Sequence, residues 1–93
     1  MAKLTDAEIT QRLKTLPGWQ REGDAIRKVY TFGKFADGIR FVDRVAQAAD
    51  AMDHHPDIDI RYTTITMTLS THSAGGITAK DFELAARIDA AAR

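Results

Sequence analysis

The spacing of apolar residues predicts three helices separated by two pairs of strands. Apolar residues recur every three or four positions over 5–16, 35–52 and 78–92, which is the repeat of a helix with one buried face. Between the first two helices, 19–22 and 25–32 are rich in strand-forming residues around a Gly-Asp turn signal. Over 57–70, apolar and polar residues alternate, as in strands with one buried face. The predicted order is helix, strand, strand, helix, strand, strand, helix.

The first and last helices carry the same start signal. Thr5 can cap the first helix while Glu8 reaches back to the Thr5 N–H, and Thr78 and Asp81 repeat this capping box before the last helix. Pro17-Gly18 is predicted to end the first helix, because proline cannot continue the backbone hydrogen bonding.

The helix predicted over Phe35–Met52 has an apolar surface wider than contact with one sheet requires. It carries two offset stripes, one of Phe35, Ile39, Val42, Ala46 and Ala49, the other of Phe41, Val45, Ala48 and Met52. Two interpretations stay open: a second subunit covers part of the helix, or the helix is deeply buried. Gly38 costs this helix up to ~1 kcal/mol relative to alanine, unless a close neighbour needs the space.

The last two strands predict a sheet that is covered on one side. Ile58, Ile60 and Tyr62 alternate with polar residues, and the phase of the alternation flips at Thr63-Thr64, which predicts a tight turn or a bulge there. Each strand has one apolar and one polar face, as in an antiparallel sheet with helices on one side only. The predicted fold is α+β, with a four-stranded antiparallel sheet and three helices packed on one face, in a single domain over residues 1–93.

Composition narrows the class of partner. Thirteen Lys and Arg balance thirteen Asp and Glu, and the basic residues are scattered, which argues against nucleic-acid binding. A small molecule or another protein is the expected partner. The chain has no Cys, so disulfides, thiolate metal sites and thiol nucleophiles are excluded. No apolar run has the length of a signal peptide or of a membrane-spanning helix, so a cytoplasmic location without membrane contact is expected.

The candidate chemistry lies around three histidines. His54 and His55 precede Pro56, which disfavours helix at His55 and predicts a helix-to-strand corner. His72 is predicted to end the last strand on its polar face. If the last two strands pair as a hairpin, the three imidazoles can line one cleft, suited to general acid–base catalysis near neutral pH. Aspartates that can orient these rings surround the pair, namely Asp50, Asp53, Asp57 and Asp59.

Plainer interpretations of the same residues stay open. A His-His-Pro corner is often an exposed turn, and a three-histidine metal site is a further reading, although adjacent histidines seldom converge on one ion. Trp19 can pack half-buried beside its turn or stack on a flat heteroaromatic ligand. Nothing marks Ser70 or Ser73 as a nucleophile, and Gly75-Gly76 is a weak anion-binding signal before the last helix.

The histidines belong to a longer pattern that resembles the pterin-4a-carbinolamine dehydratase family. The family pattern begins with an acidic residue, followed after three residues by His-His-Pro. An aromatic residue follows after five intervening residues, a His after nine more, and an Asp lies further along the chain. Here the pattern reads Asp50, His54-His55-Pro56, Tyr62, His72 and Asp81, with every spacing met. Further similarity lies at Gly18-Trp19, Asp24-Ala25-Ile26, Arg44-Val45-Ala46 and 68–72, so the resemblance covers nearly the whole chain.

The resemblance implies an enzyme, a hydro-lyase that needs neither metal nor cofactor. Its members dehydrate 4a-hydroxytetrahydropterin to quinonoid dihydropterin, which recycles the pterin used by aromatic amino acid hydroxylases, a possible partner. An imidazolium can protonate the departing 4a-hydroxyl while a base or water removes the N5 proton. The resemblance also implies the same α+β fold and a homodimer or homotetramer.

Matched position by position, the resemblance implies His54, His55 and His72 as the catalytic residues, without assigning a role to each. Asp50 takes the acidic place, where many members have the longer Glu, and Trp19 matches a tryptophan near the pterin. The remaining residues implied to contact substrate are Pro56, Ser70 and Thr71. Asp81 fills the last position of the pattern, but helix capping is its expected role.

The family also implies an alternative function. Animal members act as dimerisation cofactors of a homeodomain transcription factor and use a helical surface rather than the cleft. The apolar surface around Phe41, Val45 and Met52 could support such protein contact. Catalysis predicts loss of function on His54→Ala or His72→Ala, whereas an interaction module predicts sensitivity at a helix residue such as Arg44.

Overall fold

The structure, a computed structural model, describes residues 2–93. Over this range it contains three α-helices, four strands and a short 3₁₀ helix at His72–Ala74. The helices and strands, in chain order, are α1 (Asp6–Leu13), β1 (Gln20–Glu22), β2 (Ala25–Thr31), α2 (Phe35–Met52), β3 (Asp57–Arg61), β4 (Thr64–Leu69) and α3 (Ala79–Ala91). The strands form one antiparallel sheet in the order β1-β2-β4-β3. The α+β class and the predicted order of elements are confirmed.

Both predicted capping boxes are present. At α1, the Thr5 N–H donates to Glu8 Oε1 (2.8 Å) and the Glu8 N–H donates to Thr5 Oγ1 (3.2 Å). The hydrogen bond from the Thr5 backbone N–H, followed by the effect of the Thr5 hydroxyl, lowers the pKa of the Glu8 carboxyl below its ordinary value. At α3, Thr78 and Asp81 form the second box. Helices α1 and α3 therefore start at the residues that their capping boxes predict.

The β3–β4 hairpin places its turn one residue before the predicted position. Arg61 pairs with Thr64, which leaves Tyr62 and Thr63 as the turn residues, and Tyr62 takes the left-handed conformation with φ +53°. Strand β3 lies at the edge of the sheet, so Ile58 and Ile60 stay partly exposed although they lie opposite the buried Met67 and Ile65. The central strand β4 buries its apolar face completely.

Helix α2 covers the sheet with only part of its apolar surface. Gly38, Phe41, Val45 and Ala49 are buried, whereas Ala46 is exposed and Phe35 keeps half of its surface exposed. In the chain by itself, the first stripe is partly covered: Phe35 and Ala46 are exposed, Ile39 and Val42 are half-buried, and Ala49 is buried. In the second stripe, Phe41 and Val45 are fully buried and so offer no surface to a partner. The buried residues of α2 meet β2, β4 and α3 in one core.

One carboxylate joins the end of α3 to the sheet. Asp89 Oδ1 accepts hydrogen bonds from Trp19 Nε1 (3.1 Å), from Lys28 Nζ (2.9 Å) and from the Tyr30 hydroxyl. Burial, together with the hydrogen bond to Asp89, raises the pKa of Tyr30 above its ordinary value, so the hydroxyl keeps its proton and stays a donor. Trp19 is only 4% exposed, with its ring edge against Tyr30.

We expect Gly38→Ala to lower the free energy of unfolding by about 1 kcal/mol, although alanine is the better helix former. A Cβ at Gly38 would lie 2.9 Å from Ile65 Cδ1 and 3.4 Å from Phe32 Cδ2. Overpacking a core costs about 1–3 kcal/mol, which exceeds the gain in helix propensity of ~1 kcal/mol. Urea denaturation of both proteins measures the difference.

A second background isolates the steric cause. Ile65→Val removes the Cδ1 atom that the new methyl group would meet, so Gly38→Ala should cost less in that background than in the wild type. An equal cost in both backgrounds would contradict the steric explanation.

Candidate active site

The end of α2 determines where His54 lies. Asp53 takes the left-handed conformation (φ +50°), and the His54 N–H donates back to the Ala49 carbonyl at 3.1 Å. This backbone hydrogen bond, from five residues back, is that of a Schellman helix end. It turns the chain sharply, so that His54 points back toward α3 while Pro56 leads into β3.

His54 forms a short hydrogen bond to a fully buried carboxylate. Its Nε2 lies 2.6 Å from Asp81 Oδ1, and the side chains are 11% and 0% exposed. Because the carboxylate can only accept, Nε2 carries a proton and donates it in this hydrogen bond. In the neutral ring, Nδ1 is then the nitrogen without a proton and is the basic atom.

The other Asp81 oxygen is fixed by two donors. Asp81 Oδ2 accepts from the Thr71 hydroxyl (2.8 Å) and from the Thr78 N–H (2.9 Å), and the two threonine hydroxyls lie 2.8 Å apart. Thr71 and Thr78 are both buried. Throughout residues 2–93, no buried side-chain polar atom lacks a partner. Asp81 is thus rigidly oriented before any ligand binds.

The predicted capping role of Asp81 is therefore confirmed, but sequence reasoning missed its contact with His54. The capping signal around Thr78 explained the residue fully and gave no reason to look further. A carboxylate at the last position of the family pattern was the available signal, because carboxylates commonly orient imidazoles.

His55 and Asp50 form a second, exposed pair. His55 Nε2 lies 2.9 Å from Asp50 Oδ1, with both side chains more than half exposed. The aspartate, although shorter than the glutamate of many members, therefore reaches its neighbouring imidazole. This pair lies on the solvent-exposed side of the corner between α2 and β3.

His72 lies outside the last strand, and the prediction that it ends that strand is wrong. Strand β4 stops at Leu69. Thr71 then forms an isolated bridge with Gly76, with N–O distances of 2.8 and 3.3 Å, and this closes a loop in which His72 starts the 3₁₀ helix. The strand ends early because this loop folds back on itself instead of continuing along β3.

His72 is exposed and lines an open pocket of about 270 Å³. The other lining residues are Asp24, Ser70, Gly75 and Gly76. Ser70 donates from its hydroxyl to the Asp24 carbonyl at 2.8 Å, which joins the β1–β2 turn to the end of β4. The pocket therefore lies where three chain segments meet.

Hydrogen bonds connect only some of the predicted site residues with one another. His54 contacts Asp81, which contacts Thr71, the residue before His72. Asp57 pairs with Thr68, so the corner at His55 and Pro56 lies beside the end of β4. The convergence of all three imidazoles on one ligand stays a prediction.

Trp19 is not one of the residues that line the pocket of His72. Its ring is buried in the core and its indole N–H donates to Asp89. Its stacking on a ligand stays a prediction.

The described part of the chain contains neither a metal-binding group of side chains nor a membrane-spanning helix. Among residues 2–93, no three His, Cys, Asp or Glu side chains come together as a group that could hold a metal ion. Over the same range, no helix has both the length and the apolar character needed to cross a membrane.

The fold and the site define a class of small α+β domains with a buried imidazole–carboxylate pair and an open pocket lined by a further histidine. Comparison with known sequences identifies the family within that class. The model of the family described as pterin 4 alpha carbinolamine dehydratase matches residues 2–91. The chain belongs to this family.

Two relatives are similar in sequence to nearly the whole chain. A Mycobacteroides abscessus protein named "Putative pterin-4-alpha-carbinolamine dehydratase" is 58% identical over 89 residues, which cover 96% of this chain and 95% of that protein. A Roseiflexus castenholzii protein of the same name is 56% identical over 88 residues, covering 95% of each.

Two solved structures share the fold. The crystal structure of a transcriptional coactivator/pterin dehydratase from Brucella melitensis has a TM-score of 0.94 at 33% identity and covers 98% of this chain and 99% of its own. A pterin dehydratase-like protein described as a RuBisCO assembly factor in the alpha-carboxysome has a TM-score of 0.66 at 28% identity, covering 80% and 86%.

We expect Asp81→Asn to change the protonation pattern of His54. An amide presents one acceptor oxygen, whereas the carboxylate serves His54, Thr71 and the Thr78 N–H with two. Two-dimensional ¹⁵N NMR should show a single Nε2–H tautomer of His54 in the wild type and a mixture in the variant, with a loss of about 1–3 kcal/mol in the free energy of unfolding.

Asp50→Asn is the matched control, because Asp50 contacts only the exposed His55. It should leave the His54 signals and the stability unchanged. An unchanged His54 tautomer in Asp81→Asn would show that the carboxylate does not orient the ring.

Proposed function

We propose that the chain catalyses the dehydration of 4a-hydroxytetrahydropterin to quinonoid dihydropterin and water by histidine acid–base catalysis. The observation that carries the proposal is the buried Asp81 with its hydrogen bond to His54, linked through Thr71 to the histidine of an open pocket. Membership of the family supports the choice of substrate. In a cell, this reaction would return pterin to an aromatic amino acid hydroxylase.

The reaction requires two proton transfers and no redox change. The C4a–O bond breaks with both electrons leaving on oxygen, an acid delivers a proton to the departing hydroxyl so that it leaves as water, and a base removes the proton from N5. Groups that titrate near the working pH are the best general acids and bases, and each contributes typically 10²–10⁴-fold.

We assign the two transfers to different histidines. His72 is exposed and lines the pocket, so it can take a proton from solvent and deliver it to the hydroxyl. His54 is nearly enclosed, and its hydrogen bond to Asp81 makes Nδ1 the basic nitrogen, which suits removal of the N5 proton. His55, with its exposed partner Asp50, has a lesser role in holding the substrate.

A stopped-flow assay of 4a-hydroxytetrahydropterin decay tests the proposal. The wild type should accelerate the decay above the spontaneous rate, with no effect of added chelator. His72→Ala should lower kcat/KM about 10²-fold or more, while its free energy of unfolding stays within ~0.5 kcal/mol of the wild type because His72 is exposed.

A test of the role of His54 needs a more conservative substitution than alanine. His54→Ala would leave the Asp81 carboxylate buried beside an empty space, so a loss of activity could reflect unfolding. Glutamine can still donate to Asp81 but cannot act as a base, and His54→Gln should therefore lose activity with smaller loss of stability. Wild-type protein that does not accelerate the decay, or variants with full activity, would overturn the proposed function.

A second candidate function is a protein-interaction module. Large apolar side chains are exposed at the start of α2 and on the β3 edge: Phe35, Ile58, Ile60 and Tyr62. The two similar structures are of a transcriptional coactivator/pterin dehydratase and of a pterin dehydratase-like protein described as a RuBisCO assembly factor. Arg44 is a poor probe of this function because its Nε donates to the Ala91 carbonyl at 2.9 Å. Ala46 is exposed on the same helix and is the better position to change.

Self-association through this apolar surface is the simplest use of it, as a homodimer or homotetramer. Phe35 and Tyr62 are 50% and 74% exposed, and their rings stack with centroids 6.5 Å apart. We expect Phe35→Lys to shift the chain toward monomer by at least tenfold in dissociation constant, as measured by analytical ultracentrifugation.

Val29→Lys is the control for self-association. Val29 is also about half exposed but lies on the face of the sheet without helices. Equal behaviour of both variants, or a wild type that is monomeric at all concentrations, would contradict the proposed interface.

A further inference from the structure

The pocket beside His72 contains a carboxylate that the acid–base chemistry does not use. Asp24 follows Gly23 in the two-residue turn between β1 and β2, where Gly23 takes φ +61° and Glu22 pairs with Ala25. The Arg21 Nε donates to the Gly23 carbonyl at 2.9 Å, and the Ser70 hydroxyl donates to the Asp24 carbonyl at 2.8 Å. The backbone of Asp24 is therefore fixed to the strand end that precedes His72.

The Asp24 side chain lies against the glycine wall of the pocket. A Cβ added to the buried Gly76 would lie 3.8 Å from Asp24 Oδ1 and 2.7 Å from Lys3 Cδ. Within residues 2–93, neither a salt bridge nor a side-chain hydrogen bond engages the Asp24 carboxylate. Both of its oxygens are thus free to accept hydrogen bonds from a ligand.

The backbone N–H groups and the hydroxyl group of this pocket already have acceptors within the chain. Gly75 N–H donates to the His72 carbonyl (3.0 Å), Gly76 N–H donates to the Thr71 carbonyl (3.3 Å), and the Ser70 hydroxyl donates to Asp24. The pocket therefore presents a carboxylate and an imidazole, without a cradle of free backbone N–H groups. This arrangement favours a ligand with N–H donors over a phosphate or carboxylate.

We infer that Asp24 is a specificity-determining residue, whose carboxylate accepts hydrogen bonds from the N3–H and the 2-amino group of the pterin ring. The inference rests on the proposed function. A pterin presents these two donors side by side on its pyrimidine edge, and the two oxygens of a carboxylate can accept both. At about 270 Å³ the pocket lies just below the usual range of ligand-site volumes, which starts at ~300 Å³, and suits a small bicyclic ring. Asp24 would hold one end of the ring while His72 faces the departing hydroxyl.

A pair of ring analogues tests the contact. In 7,8-dihydrolumazine an oxo group replaces the 2-amino group of 7,8-dihydropterin, so one donor becomes an acceptor. Isothermal titration with both compounds should show that the wild type prefers dihydropterin. Asp24→Asn should weaken dihydropterin binding about tenfold or more, since a hydrogen bond to a charged group is lost, and should bind dihydrolumazine at least as well as the wild type does, because the asparagine amide can donate to the oxo group.

Turnover supplies an independent readout. In the dehydratase assay, Asp24→Asn should raise KM by about the same factor as it weakens dihydropterin binding, with kcat within about threefold, because the carboxylate contacts a part of the ring that does not react. Asp43→Asn, an exposed aspartate on α2, is the matched control for loss of one negative charge and should change neither value.

The outcomes separate the two proposals. An active wild type with unchanged pterin–lumazine discrimination in Asp24→Asn overturns the role of Asp24 and leaves the proposed function intact. A wild type that binds dihydropterin without turnover, and loses that binding in Asp24→Asn, supports Asp24 and overturns the dehydratase reaction. A wild type that binds neither compound overturns both.

Discussion

The buried carboxylate of Asp81 is the constraint on which both the fold and the site depend. It collects donors from three elements that are distant in sequence: His54 after α2, Thr71 after β4 and the Thr78 N–H at the start of α3. A carboxylate without partners in the interior costs several kcal/mol. Keeping the three elements together therefore stabilises the fold, and their meeting orients the His54 imidazole and connects it through Thr71 to the segment that carries His72.

The helix starts and the bounds of α2 were predictable because the signals that determine them are local, but the prediction that Pro17-Gly18 ends α1 is wrong, since α1 stops at Leu13 and turns fill 14–18. The bounds of α2 follow from its apolar repeat, and the starts of α1 and α3 follow from capping boxes that span four residues each. The end of β4 was not predictable in the same way. It depends on the bridge between Thr71 and Gly76, which closes across a loop and has no periodic signature in the sequence. The turn at Tyr62 and Thr63 was missed by one residue for a similar reason, since neither is a usual turn residue.

The candidate site likewise has one part that the sequence predicts and one part that depends on tertiary packing. Family spacing identified the histidines, and the pairing of β3 with β4 brings the corner at His55 close to the end of β4, as expected from the hairpin. The partners of these residues come from other parts of the chain: Asp81 is 27 positions from His54, and Ser70 is 46 positions from Asp24. Contacts over such separations follow from how α3 and the β1–β2 turn pack, and that packing is determined by the whole core.

The two roles of Asp81 also affect how other members of the family can be interpreted. A paralogue that gave up catalysis for assembly or regulation would still need an acidic residue here, because Thr78 and Thr71 would otherwise lose their acceptor. Selection for a folded protein is then enough to preserve the aspartate. His72, which is exposed and supports no buried contact in this chain, has no such protection. Under the proposed mechanism, its loss or retention in a relative is therefore the more informative mark of dehydratase activity.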